Sequence, residues 1–203
     1  MLDTTNDQSP RRQITRADIM PLEEYGRIRQ ERRAKFVPQK IKRRVHIGPH
    51  VTLYFESYDT MWAQIHEMLY IERGGEEQIE GELDAYNPLI PQGSELVATM
   101  MIEIEDENVR RKTLNNLGHI EDMVVVKCAG HVVKGAPEAG LDRTTPEGKT
   151  SSVHFLHFRF TPEQVAEFKK PGPEVIVGVD HPNYGHMTVL NEASRAALAE
   201  DFA

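Results

Sequence analysis

The stretch RRVHIGPHVTLYFES, residues 43–57, decides how the chain folds. Two runs of β-branched and aromatic residues flank Gly48, Pro49 and His50, and a Gly-Pro turn between such runs predicts a β-hairpin. Side chains alternate along a strand, so Val51, Leu53 and Phe55 take one face, and His50, Thr52, Tyr54 and Glu56 the other. The first row reads as core. The second reads as an exposed strand face or, given its residue types, as a pocket wall.

The alternation continues downstream. In ELVATMMIEIE, residues 95–105, Leu96, Ala98, Met100, Ile102 and Ile104 face a core. Residues 123–133, 151–160, 174–180 and 187–190 are further strands. Thr15 and Asp18 form a capping box for a helix over residues 15–36, which Pro38 ends or kinks. Asp59 caps a helix running to about Arg73, with Trp62, Ile65 and Leu69 as its apolar stripe. Shorter helices follow over 76–86 and 107–117. Thr161, Pro162 and Gln164 open another, and Asn191 caps the last. Residues 135–149 form one long loop. Hairpins interrupted by irregularly spaced helices predict an α+β fold: a single domain with a mostly antiparallel sheet flanked by helices. The expected layout is a flexible tail over residues 1–14, a basic helical arm over 15–44 and the α+β domain over 45–203. No Gly-rich nucleotide fingerprint follows any strand.

Composition narrows the function classes. No segment approaches the ~18 apolar residues that cross a bilayer, and the first residues lack the apolar stretch of a secretory signal. Cys128 is the only cysteine among the 203 residues, so no disulfide framework or Cys-based metal site exists and a cytoplasmic setting is expected. The net charge of -8 is unevenly distributed. Residues 1–50 carry 12 Lys/Arg against 6 Asp/Glu, and residues 51–203 carry 12 against 26. The basic excess lies in RIRQERRAKFVPQKIKRR, residues 27–44. Such a block suits an acidic partner or the acidic body of its own chain. Few aromatics interleave with it, so base stacking on nucleic acid is not indicated.

Histidine is the remaining chemistry. In VGVDHPNYGH, residues 177–186, a four-residue loop over 182–185 would make His181 and His186 facing neighbours able to share a cation. A divalent Fe, Mn or Zn held by imidazoles and carboxylates is the expected cofactor, with His50, His154, Glu56 and Glu72 as further ligands. Arg32, Arg33, Arg43 and Arg44 are the expected partner contacts. No nucleophile motif supports a hydrolase.

Taken together, ITRADIMPLEEYGRIR, KRRVHIGPHVTLYFES, WAQIHEMLYIE, GELDAYNPLIP, ELVATMMIEIE, HFLHFRF and GVDHPNYGH resemble an uncharacterised bacterial family, domain of unknown function 3501. The resemblance implies association with rubrerythrin-like and iron–sulfur redox proteins. The leading expectation is a histidine-based, iron-binding accessory of a redox or peroxide-stress system. The alternatives are an interaction module that docks a redox partner through its basic arm, and a metal-independent enzyme.

Overall fold

The computed structural model describes residues 11–138, 143–146 and 148–203. The hairpin read from the sequence forms one edge of the sheet. β1 (Arg44–Ile47) pairs antiparallel with β2 (Val51–Phe55), and Ile47 lies opposite Val51. Gly48 turns the chain at φ +64°, a left-handed conformation that glycine adopts without steric cost.

Six further strands complete the sheet: β3 (Glu95–Ile102), β4 (Val124–Cys128), β5 (His131–Pro137), β6 (Val153–Arg159), β7 (Val175–His181) and β8 (Tyr184–Val189). Their spatial order is β1-β2-β3-β6-β5-β4-β7-β8, and every pairing is antiparallel. The sheet curls until its ends meet, giving a near-barrel. The Thr188 hydroxyl donates to the His46 carbonyl at 2.5 Å. The Tyr184 hydroxyl donates to the Ile47 carbonyl at 2.7 Å and accepts from the N–H groups of His50 and Val51 at 2.8 and 3.0 Å. One phenol thus bonds three backbone groups at the β1/β2 turn and ties this edge of the sheet to β8.

The predicted alternation sorts the two faces. Leu53, Phe55, Met100, Leu156 and Phe158 fill the interior of the barrel. Val97 and Phe155 point outward into a second core, where α2 (Tyr58–Glu72) and α3 (Glu76–Tyr86) lie on the outer wall. α1 (Leu22–Lys42) packs on α2, and α4 (Glu107–Asn115) follows β3. α5 (Pro162–Lys169) and α6 (Glu192–Ala199) contribute Phe168 and Leu198 to the interior core, and Phe160, Phe168 and Phe202 meet edge to face. Side-chain caps start four of these helices: Ser57, Asp106, Thr161 and Asn191 each accept from a backbone N–H in the first turn, and Ser57 takes the place of the expected cap Asp59, which lies inside the first turn of α2. Among the described residues no helix is long and apolar enough to cross a membrane.

Four local expectations are corrected. Thr15 and Asp18 do form a capping box, but around a separate 3₁₀ turn, Arg16–Asp18, and α1 begins at Leu22. α1 runs past Pro38 to Lys42; Ala34 and Pro38 are exposed, so water can reach the carbonyl that proline leaves without a donor. Residues 123–133 hold a hairpin rather than one strand, turned by Ala129 and Gly130 at φ +48° and +82°, and β5 takes up the start of the expected long loop. Residues 1–10 of the expected tail lie outside the described residues. Residues 11–14 are tied down: Ile14 is buried and exchanges two hydrogen bonds with the Asn87 side chain, and Arg12 donates to the carbonyls of Pro91 and Asp201.

Candidate functional site: a basic helix above two grooves

α1 is anchored at both ends and bridges two grooves between them. Near its start Tyr25 is buried edge-on against Trp62 and Tyr70, and its hydroxyl donates to Glu67 at 2.8 Å. Arg29 forms two parallel bonds to the same carboxylate, at 2.8 and 2.7 Å, and this pairing holds Glu67 below the usual carboxylate range. Just beyond its C-terminus Arg43 is buried. It donates to the carbonyls of Phe55, Glu56 and Ala197 at 3.0, 2.7 and 3.0 Å and pairs with Asp201. Burial pushes the Asp201 carboxyl up to about 6, against the pull of Arg43.

Between these anchors, residues 32–41 overhang two grooves. The first, about 580 Å³, lies between α1 and α2, with Trp62, Ala63 and Met68 along it. The Arg32 guanidinium sits 4.1 Å from the centre of the Trp62 ring, a cation–π contact. The second, about 540 Å³, lies between α1 and the outer wall of the barrel, where Glu56 faces it among apolar residues. Val37 belongs to both grooves and is 51% exposed; Ile71 on the first and Ile41 on the second are 64% and 55% exposed. Among the described residues Arg32, Arg33, Lys40, Lys42 and Arg44 have no carboxylate within ion-pair distance, whereas Arg27 and Lys35 pair within the helix.

The expected basic surface is therefore divided. Arg32, Arg33 and Arg44 face solvent, as a partner contact requires. Arg43 does not: its donors are consumed by its own barrel and α6, so it is a structural anchor.

The expected metal ligands are dispersed. The turn between β7 and β8 has two residues, Pro182 and Asn183, not four, because Tyr184 joins the ladder opposite His181. His186 consequently faces Val179. Both nitrogens of His181 are committed to backbone: Nδ1 accepts from the Asn183 N–H at 3.1 Å, and Nε2 meets the Gly118 carbonyl at 3.2 Å. His186 packs on Tyr184, with ring centres 4.4 Å apart, and its buried Nδ1 has no hydrogen-bond partner. His50 shares only an open depression with it at the end of the barrel. His154 is fully buried inside the barrel; Nε2 meets the Ser151 carbonyl at 2.9 Å, Nδ1 lies 3.6 Å from Glu121, and desolvation lowers its pKa. Glu72 is exposed at the end of α2, where it accepts from Gln78, rather than pointing inward. Glu56 stands on the opposite face of the wall from His154. Among the described residues no three His, Cys, Asp or Glu side chains form a group that could hold a metal.

Val37, Ile41 and Ile71 escaped the sequence reading. Val37 and Ile41 are four apart, one helical turn, but that signal is masked when the helix is ended at Pro38.

A family model described as "Protein of unknown function (DUF3501)" matches residues 13–202, and the chain belongs to that family. A crystal structure of a protein of unknown function from Burkholderia pseudomallei K96243 is similar at 39% sequence identity and a TM-score of 0.86, covering 94% of this chain and 99% of that one. A search of curated proteins found no match.

Proposed function

We propose that this family member is a docking protein whose overhanging α1 segment receives a partner with an acidic face and an apolar ridge. One observation carries the reading: Arg32, Arg33 and Lys40, which have no carboxylate within ion-pair distance among the described residues, surround exposed Val37, Ile41 and Ile71 on adjoining helices. Single exposed apolar residues are ordinary on a protein surface, but a group of them beside a groove marks an interaction site. Arginine stacked on an aromatic ring is typical of the residues that dominate binding energy at interfaces. Anchoring at Arg29 and Arg43 pre-forms the segment, so little ordering entropy is lost on association. Asp59 and Glu67 also line the first groove, which places the basic attraction on the α1 side of it.

Rubrerythrin-like and iron–sulfur proteins, implied by the family resemblance, are the first partners to test. The alternative, an iron-binding accessory, has no converging donor set among the described residues to support it. The test is titration of a purified candidate partner at low and high salt. Arg32→Glu with Arg33→Glu, and separately Ile71→Glu, should each weaken binding, and salt should weaken it steeply because exposed charges are screened beyond about 8 Å. Binding that ignores salt and these substitutions would refute the reading.

A further inference from the structure

The second groove has the features of a small-molecule site, although Val37, Lys40 and Ile41 on its rim also belong to the docking surface. Its volume of about 540 Å³ falls in the ordinary range for ligand cavities. Met61, Leu89, Met101 and Phe155 give it apolar walls. Lys40 and Arg44 line it as well, and neither has an ion-pair partner among the described residues.

Its buried acid is already satisfied. Glu56 is 8% exposed, and its two oxygens each accept from a threonine hydroxyl: Oε2 from Thr60 at 2.6 Å and Oε1 from Thr99 at 2.7 Å. Burial also pushes its carboxyl up, toward the uncharged form. An unpaired buried carboxylate would select an ammonium ligand. Here the carboxyl makes no such demand, and the nearby Lys40 and Arg44 leave the cavity short of negative charge.

We infer that the cleft between α1 and the outer barrel wall binds a small amphipathic organic carboxylate. The apolar body lies against Met61, Leu89, Met101 and Phe155, and the carboxylate sits at Lys40 and Arg44. Glu56, tied to Thr60 and Thr99, is a polar floor that positions the wall rather than the group that holds the charge.

Calorimetric titration of the full chain with decanoate, and with decylammonium as the charge-reversed probe, tests the inference. Decanoate should bind one to one and more tightly than decylammonium. Lys40→Glu with Arg44→Glu, two exposed positions whose exchange spares the core, should weaken decanoate about tenfold, the equivalent of about 1.4 kcal/mol. Met101→Trp, which fills the cleft, should abolish binding, with a melting curve to confirm that the variant is folded. Ile71→Glu, in the first groove, should leave decanoate affinity unchanged, which separates this site from the docking surface. Failure of decanoate to bind, equal binding of decylammonium, or undiminished affinity in both the Lys40/Arg44 and the folded Met101 variants would overturn it.

Discussion

Replacing Arg43 by methionine should destabilise the protein far more than any other substitution in the basic segment. The guanidinium donates to three carbonyls on two elements and neutralises buried Asp201. Removing one partner of a buried ion pair leaves the other charge uncompensated, at a cost of about 3–5 kcal/mol. For a chain of this size each kcal/mol moves the melting temperature by about 2–4 °C, so Arg43→Met should lower it by about 10 °C. The loss should also depend on pH. The folded Asp201 has a pKa of about 6 against an ordinary 3.8. A carboxyl raised in the folded state contributes stability below its unfolded pKa, and that contribution is lost as pH rises through the folded value. Without Arg43 the Asp201 pKa rises further, so the variant should lose more at about pH 8 than at about pH 5. Asp201→Asn in the Arg43→Met background should recover part of the loss. Calorimetry and urea unfolding at the two pH values measure all of this. A loss under about 1 kcal/mol, the scale of a surface pair, or one independent of pH would refute the buried-anchor argument.

Three further outcomes are expected. Tyr184→Phe should cost about 1–3 kcal/mol, because it strips the partner from N–H groups at the barrel seam; urea unfolding measures this, and a neutral result would mean the seam is held elsewhere. His66 is buried and stacked 3.7 Å from the Trp62 ring centre, with Nε2 accepting from the Met20 N–H, and desolvation lowers its pKa. The unfolded chain therefore binds the extra proton, stability falls as pH drops through about 6.5, and His66→Gln should flatten that decline in unfolding experiments on either side of that pH. Anaerobic Fe(II), Mn(II) or Zn(II) should produce no melting shift that His181→Ala with His186→Ala removes; such a shift would restore the metal reading.

The strand faces were legible because a period of two, read over Val51, Leu53 and Phe55 or Leu96, Ala98 and Met100, admits one division into inside and outside. Helix caps at Thr161 and Asn191 were legible because the capping interactions are local. The failures have a different physical origin. The register of β7 against β8 turns on whether Tyr184 belongs to the loop or the ladder, and that depends on a phenol reaching the β1/β2 turn far away in sequence. Arg43 and Arg44 are adjacent and chemically alike, yet one is buried and the other exposed, because the chain leaves helix for strand at that point. Charge patterning along a sequence cannot separate them. Glu56 was singled out as a candidate ligand, and only the start of α2 and the pairing of β2 with β3 show that its oxygens are spoken for by Thr60 and Thr99.

The docking account is tested most directly by placing a photo-crosslinking benzoyl-phenylalanine at Val37 of the full-length chain in living cells, with exposed Val189 on β8, outside both grooves, as the control position. The account predicts a crosslink from Val37 to an acidic protein, lost when Arg32 and Arg33 are changed to Glu and absent from Val189. Equal crosslinking from both positions, or a Val37 product that persists after charge reversal, would contradict it.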